Sequence, residues 1–184
     1  MNNLRSPPQS CVASGSLPVG VVLRELQYHA DDRGNLSEIY RQEWHSDIRL
    51  SQWNVSHCVN NSLRGVHLHL KHTDYLVVLS GRFVFGLRDL RRDSESFGRT
   101  AMLDLTGGAL LIPPGVAHGF HCVAEGTLVY GLSHSWDLED DLACRWDDPD
   151  HGLVFPATDP ILSARDRDAG GFDDLLTRFE EMPR

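Results

Sequence analysis

Ser62-Leu63-Arg64-Gly65-Val66-His67-Leu68-His69-Leu70 reads as a β-strand of period two. Alternation predicts Leu63, Gly65, His67 and His69 on one face and Arg64, Val66, Leu68 and Leu70 on the other. Two histidines on one strand face are costly to bury unless hydrogen-bonded, paired with a charge or bound to a metal. A solvent-facing pair at a strand end is the plain alternative. Downstream, Gly107, Pro113, Gly115 and His118 follow a G-x5-P-x-G-x2-H pattern. Its Pro-Pro-Gly turn reverses the chain and returns His118 along the next strand.

Short Val-, Leu-, Ile- and Phe-rich segments flank this stretch on both sides. They run over Val21–Leu26, Gly34–Tyr40, Ile48–Ser56, Tyr75–Ser80, Arg82–Leu90, Arg99–Leu105, Ala109–Ile112, Gly119–Ala124 and Thr127–Ser133, separated by Asp-Arg-Gly, Ser-Gly and Gly-Gly clusters. In Arg82–Leu90, Phe83, Phe85 and Leu87 alternate with Arg82, Val84, Gly86 and Arg88, which predicts a strand with two unlike faces. Helical spacing returns only at Phe172–Met182, through Phe172, Leu175, Leu176 and Phe179. Trp146–Asp166, with three prolines, reads as an extended, turn-rich cover over one end. Close strands without crossover helices predict an all-β fold, an antiparallel jelly-roll barrel with a short C-terminal helix. The expected division is a flexible arm over 1–20, the barrel with its covering loop over 21–166 and a helical tail over 167–184.

The chain has 184 residues, with 26 acidic against 17 basic side chains and a net charge of −9. That balance argues against nucleic acid, whose backbone needs a basic surface, but leaves room for a local arginine cluster. No segment approaches the roughly 20 apolar residues of a membrane span, and the first residues lack the apolar centre of a signal peptide. The cysteines at 11, 58, 122 and 144 form no C-x-x-C, so free thiols in a reducing cytoplasm are expected.

With Asp74 and Gly81 after His67 and His69, the two histidine stretches resemble the two-part signature of the cupin barrel family. Asp74 stands where cupins carry glutamate. The resemblance makes His67, His69, Asp74 and His118 a possible metal set, since imidazole and carboxylate suit Fe, Mn, Ni or Zn.

Further stretches are similar to the dTDP-4-dehydrorhamnose 3,5-epimerase family, itself built on a cupin barrel. They are Asp32-Arg33-Gly34 with Glu38; Gln52-Trp53-Asn54-Val55-Ser56; Leu63-Arg64-Gly65-Val66-His67; Asp89-Leu90-Arg91; and Ser96-Phe97-Gly98. Ile112 to Phe120, Tyr130, Trp146-Asp147-Asp148-Pro149 and Leu162-Ser163-Ala164-Arg165-Asp166 follow in the same order. The resemblance implies epimerisation of a nucleotide-linked 4-keto-6-deoxy sugar next to its ketone, through an enolate and without a cofactor. It implies His67 as base, Asp166 as the carboxylate that orients it and Tyr130 as proton donor. It implies Arg33, Glu38, Gln52, Asn54, Arg64 and His118 as substrate-binding residues, a nucleotide-diphosphate sugar as ligand and a homodimer as assembly. With Arg64 facing away from His67, a site built partly by a second subunit is expected for it.

The chain departs from that family where a lysine normally precedes the strand beginning at Tyr75. Asp74 stands there, and Lys71, the only lysine in the chain, is the candidate to reach the enolate oxygen instead. Asp74 therefore keeps a metal-dependent cupin enzyme open as the second reading. Arg64-Gly65-Val66-His67-Leu68-His69 also resembles the related sugar 3,4-ketoisomerases, which lack the Trp146–Asp166 extension.

Overall fold

Apolar β-branched and aromatic residues in period two build an antiparallel framework around two very long strands. The computed structural model describes residues 11–45 and 47–182. The strands are β1 (Cys11–Ser14), β2 (Val22–Arg24), β3 (His29–Asp31), β4 (Gly34–Leu36), β5 (Gln52–Cys58) and β6 (Leu63–Leu68). They continue as β7 (Asp74–Asp89), β8 (Thr100–Leu105), β9 (Gly108–Ile112), β10 (Val116–Leu132) and β11 (Leu142–Ala143), and two helices follow, α1 (Ala164–Arg167) and α2 (Phe172–Glu181).

β7 and β10 pair along almost their whole length, and each half of the pair belongs to a different layer. The first layer runs β1-β8-β7-β10-β6-β11. The second holds the start of β7 and the end of β10, with β9 and β2 on one side and β5 on the other. Spacing suggests separate strands broken at Gly81 and at Gly126, but the ladder runs through both points with shifts of register. The two glycines face each other: a Cβ on Gly126 would lie 2.1 Å from the Ser80 carbonyl oxygen. Two bare Cα atoms let the long strands bend from one layer into the other without leaving the ladder.

The core lies between the layers, where Phe83, Phe85, Leu87, Leu103 and Phe120 meet Leu76, Val78, Leu110, Ile112 and Leu128. The outer face of the first layer is also buried. Leu153 and Phe155 of the Trp146–Asp166 segment, with Phe172, Leu175 and Phe179 of α2, cover Leu63, Val66 and Leu68. That segment thus blankets a sheet face, where sequence suggests a cover over one end, and the helical tail is part of a core. Cys11–Ser14 pairs with β8 at the sheet edge, in place of an arm over 1–20; residues 1–10 lie outside the described residues.

Asp89 closes the far end of β7. Its fully buried carboxylate accepts from the Arg91 backbone and guanidinium and from the hydroxyls of Ser94 (2.6 Å) and Ser96 (2.5 Å). Burial alone would raise this carboxyl, but Arg91 and the two serines outweigh it and hold it well below the usual range. A depressed carboxylate stabilises the fold above its unfolded pKa of about 3.9 and loses that contribution as pH falls. Asp89→Asn is therefore expected to cost about 2–3 kcal/mol at neutral pH. In urea titrations the gap from wild type should narrow in acid.

Candidate active site

β6 and β10 are out of step by one residue. Arg64 pairs with Phe120 and His67 with His118, so three steps along β6 match two along β10. This bulge at Gly65-Val66 reverses the strand's alternation. Leu63 turns into the outer core with Val66 and Leu68, and Arg64 turns to the same pocket as His67. Simple alternation, which sets Arg64 apart from His67 and toward a second subunit, is corrected here. Only glycine fits the bulge, because Gly65 has φ +111° and a Cβ there would sit 2.7 Å from the Gly119 Cα.

The Trp146–Asp166 segment ends at α1, where Ser163 caps the helix by accepting from the Asp166 amide (3.0 Å). The Ser163 hydroxyl also donates to Asp166 Oδ2 (2.9 Å), fixing the carboxylate. Asp166 Oδ1 then lies 2.6 Å from His67 Nε2, although the two residues are 99 apart in sequence. Burial alone would raise Asp166, but the His67 and Ser163 hydrogen bonds prevail and hold it below the ordinary carboxylate value. An ionised Asp166 accepts the Nε2 proton, so Nδ1 is left with the lone pair. Asp166 is only 4% exposed, so it is no solvated loop carboxylate.

The pocket opens where the two layers part, with a volume of about 200 Å³. Tyr130 lines it from the second half of β10, paired with Asn54 of β5. Burial pushes the Tyr130 hydroxyl above its ordinary pKa, so the phenol keeps its proton at neutral pH. Gln52 shares the face of Asn54, donates to it (3.1 Å), and accepts from the backbone of Trp136, a pocket-lining residue. Arg64 and Arg165 also line the pocket, and Arg165 is anchored by Asp141.

The pocket floor is rich in histidine. His69, His72, His118 and Asp74 all line it and all are buried. Burial, reinforced by the nearby Asp141 and Asp140 carboxylates, pushes Asp74 up to about 8. Burial pulls His118 down to about 4 and lowers His69 and His72 as well, so the three imidazoles are neutral. The alternative metal set of His67, His69, Asp74 and His118 is not assembled, because His67 is committed to Asp166. His72 takes its place. The Asp140 carboxylate accepts from the amides of Leu70 (2.7 Å) and Lys71, curling the chain so that His72 folds back beneath His69. Sequence alternation ends at Leu70 and offers no sign of His72; Asp141 and Arg165 likewise have no local signal.

Three expected residues lie elsewhere in the chain. The same curl turns Lys71 outward to Asp137 (3.0 Å), away from the pocket lining, so it does not supply a charge there. Arg33, on the turn between β3 and β4, is paired with Asp31 in solvent. Glu38 pairs with Arg41 and lines a separate cleft with Arg24 and Trp44.

The profile of the dTDP-4-dehydrorhamnose 3,5-epimerase family matches residues 17–174. The dTDP-4-dehydrorhamnose 3,5-epimerase of Methanothermobacter thermautotrophicus is 32% identical over 161 residues, covering 80% of this chain and 87% of that relative. The crystal structure of the 3'-monoepimerase ChmJ from Streptomyces bikiniensis with dTDP-quinovose superposes with a TM-score of 0.78 at 26% identity, over 90% and 88% of the two chains. The dTDP-4-dehydrorhamnose 3,5-epimerase of Bacillus anthracis with TDP and PPi bound gives 0.77 at 26% identity, over 88% of this chain and 100% of that one.

Proposed function

This chain belongs to the dTDP-4-dehydrorhamnose 3,5-epimerase family, and from that premise we propose that its pocket epimerises a nucleotide-linked 4-keto-6-deoxy sugar at a carbon beside the ketone. The observation that carries the reading is the 2.6 Å contact between His67 Nε2 and Asp166 Oδ1. It directs the Nε2 proton to the carboxylate, so that in the uncharged ring Nδ1 carries the lone pair that takes a proton from carbon. The carbon–hydrogen bond breaks, its electron pair moves to the ketone oxygen as an enolate, and the proton passes to His67 and then to solvent. Asp166 stabilises the imidazolium that forms.

Tyr130 returns a proton to the same carbon from the other face and recovers its own from water. Its buried, protonated phenol supports that role. Arg64 and Arg165 hold the diphosphate, because a guanidinium donates paired hydrogen bonds to phosphate oxygens. His118 lines the sugar side, and Gln52 and Asn54 of β5 join it through Trp136 and Tyr130. Arg33 and Glu38 serve a site completed in a homodimer, in keeping with their exposed positions outside this chain's own pocket. No helix among the described residues is long and apolar enough to cross a membrane, and buried thiols at Cys58, Cys122 and Cys144 fit a cytoplasmic setting.

Tyr130→Phe separates the two proton transfers. In D₂O, with dTDP-4-keto-6-deoxyglucose, this variant is expected to exchange hydrogen at the reacting carbon while inversion falls about 10²–10⁴-fold. Inversion at the wild-type rate, followed by ¹H NMR, would remove Tyr130 from the mechanism.

A further inference from the structure

The pocket floor poses a problem that proton transfer does not solve. His118 Nδ1 donates to the Val116 carbonyl (3.1 Å), His69 Nδ1 to the Asp140 carbonyl (3.2 Å) and His72 Nδ1 to the Asp140 carboxylate (3.1 Å). Each Nδ1 therefore carries the ring proton, and each Nε2 presents a lone pair. All three Nε2 atoms face one carboxylate: His118 at 3.5 Å and His69 at 3.8 Å from Asp74 Oδ2, His72 at 3.7 Å from Oδ1. Among the described residues the Asp74 carboxylate has no hydrogen bond, although its side chain is only 8% exposed. As they stand, these separations are longer than a hydrogen bond.

For His69 and His72 they are close to the separations that ligand atoms keep around a metal. An ion held at about 2.0–2.2 Å by imidazole nitrogen and carboxylate oxygen spaces tetrahedral ligands roughly 3.3–3.6 Å apart. The oxygen acceptors behind each Nδ1 are of the kind that fixes tautomer and ring orientation in metal-binding histidines. We propose that the floor of the pocket binds one divalent first-row transition-metal ion through His69, His72 and the Asp74 carboxylate, whose ligand atoms all lie within 4.8 Å of one another. Two imidazoles and one carboxylate suit Zn, Fe, Co, Ni or Mn over Mg or Ca, which prefer oxygen. All three residues line the pocket, and three protein ligands leave a coordination position open toward bound substrate. Resting on the epimerase reading, the ion supplies, at the position where the family carries a lysine, positive charge for the enolate oxygen. His67 stays outside the set.

Titrating the chelator-treated full-length chain with Co(II) tests this without any sugar. One equivalent per chain should bind, with visible d–d bands of nitrogen-coordinated cobalt that Zn(II) displaces. His72→Gln and Asp74→Asn should each weaken binding at least about 100-fold while keeping a cooperative thermal melt, and His67→Asn should bind as wild type. Absence of the bands would overturn the proposal. So would bands that survive both His72→Gln and Asp74→Asn, or that vanish only with His67→Asn. Because the readout involves no turnover, its failure is distinct from failure of the epimerase reading.

Discussion

His67→Asn should lower kcat by about 10³–10⁴-fold with little change in KM. Asparagine keeps much of the imidazole's volume and polarity but has no basic nitrogen, so the loss falls on proton abstraction. Asp166→Asn should cost nearly as much. Its amide can donate to Nε2 where the carboxylate accepts, forcing the proton onto Nδ1 and leaving the wrong tautomer, an exchange that in a related dyad costs about 10⁴. Steady-state turnover of a dTDP-4-keto-6-deoxy sugar checks both. The two losses should not add, since both variants remove the same basic Nδ1. A double variant slower by the product of the single losses would mean that Asp166 acts elsewhere.

Gly65→Ala should damage the same pair through the backbone. Its Cβ would press within 2.7 Å of the Gly119 Cα and 2.9 Å of the His118 carbonyl oxygen, at φ +111°. Neither neighbour is a flexible side chain, so β6 has to move, and Arg64 and His67 move with it. A misplacement of about 1 Å typically costs 10²-fold in rate. Overpacking and the disfavoured φ together predict a loss of about 2–4 kcal/mol in unfolding free energy. Gly98 is the control, having φ +74° and nothing within 4 Å of the Cβ that a substitution would add. Gly98→Ala should lose stability by no more than about 1 kcal/mol and keep its activity. Equal activity in Gly65→Ala and wild type would show that the bulge does not position the base.

The strands and α2 were legible because they carry their own periodicity. Phe83, Phe85 and Leu87 alternate, and Phe172, Leu175 and Phe179 recur at helical spacing; these residues are buried as those patterns require. His67, Tyr130 and Asp166 were legible through resemblance, and the first and last meet across the fold. Alternation failed where one extra residue enters β6, because nothing local announces a bulge except a glycine that also reads as an ordinary strand residue. It failed again at Leu70–Thr73, where a carboxylate 70 positions away, Asp140, curls the chain and delivers His72. A Ser-x-x-Asp cap at Ser163 and Asp166 was present in the sequence and points to the helical turn that holds the carboxylate. Arg33 and Glu38 match the family by motif, yet their partners within this chain are Asp31 and Arg41.

The most direct test of a free, Asp166-braced base is hydrogen exchange into substrate by the wild-type chain. Held in D₂O with dTDP-4-keto-6-deoxyglucose, and in parallel with the UDP-, GDP- and CDP-linked sugars, it should replace hydrogen by deuterium beside the ketone of at least one. The ¹H signal of that carbon should fade at a rate that collapses in His67→Asn. No exchange with any of the four, or exchange unaffected by loss of His67, would contradict the assignment of this imidazole as the base.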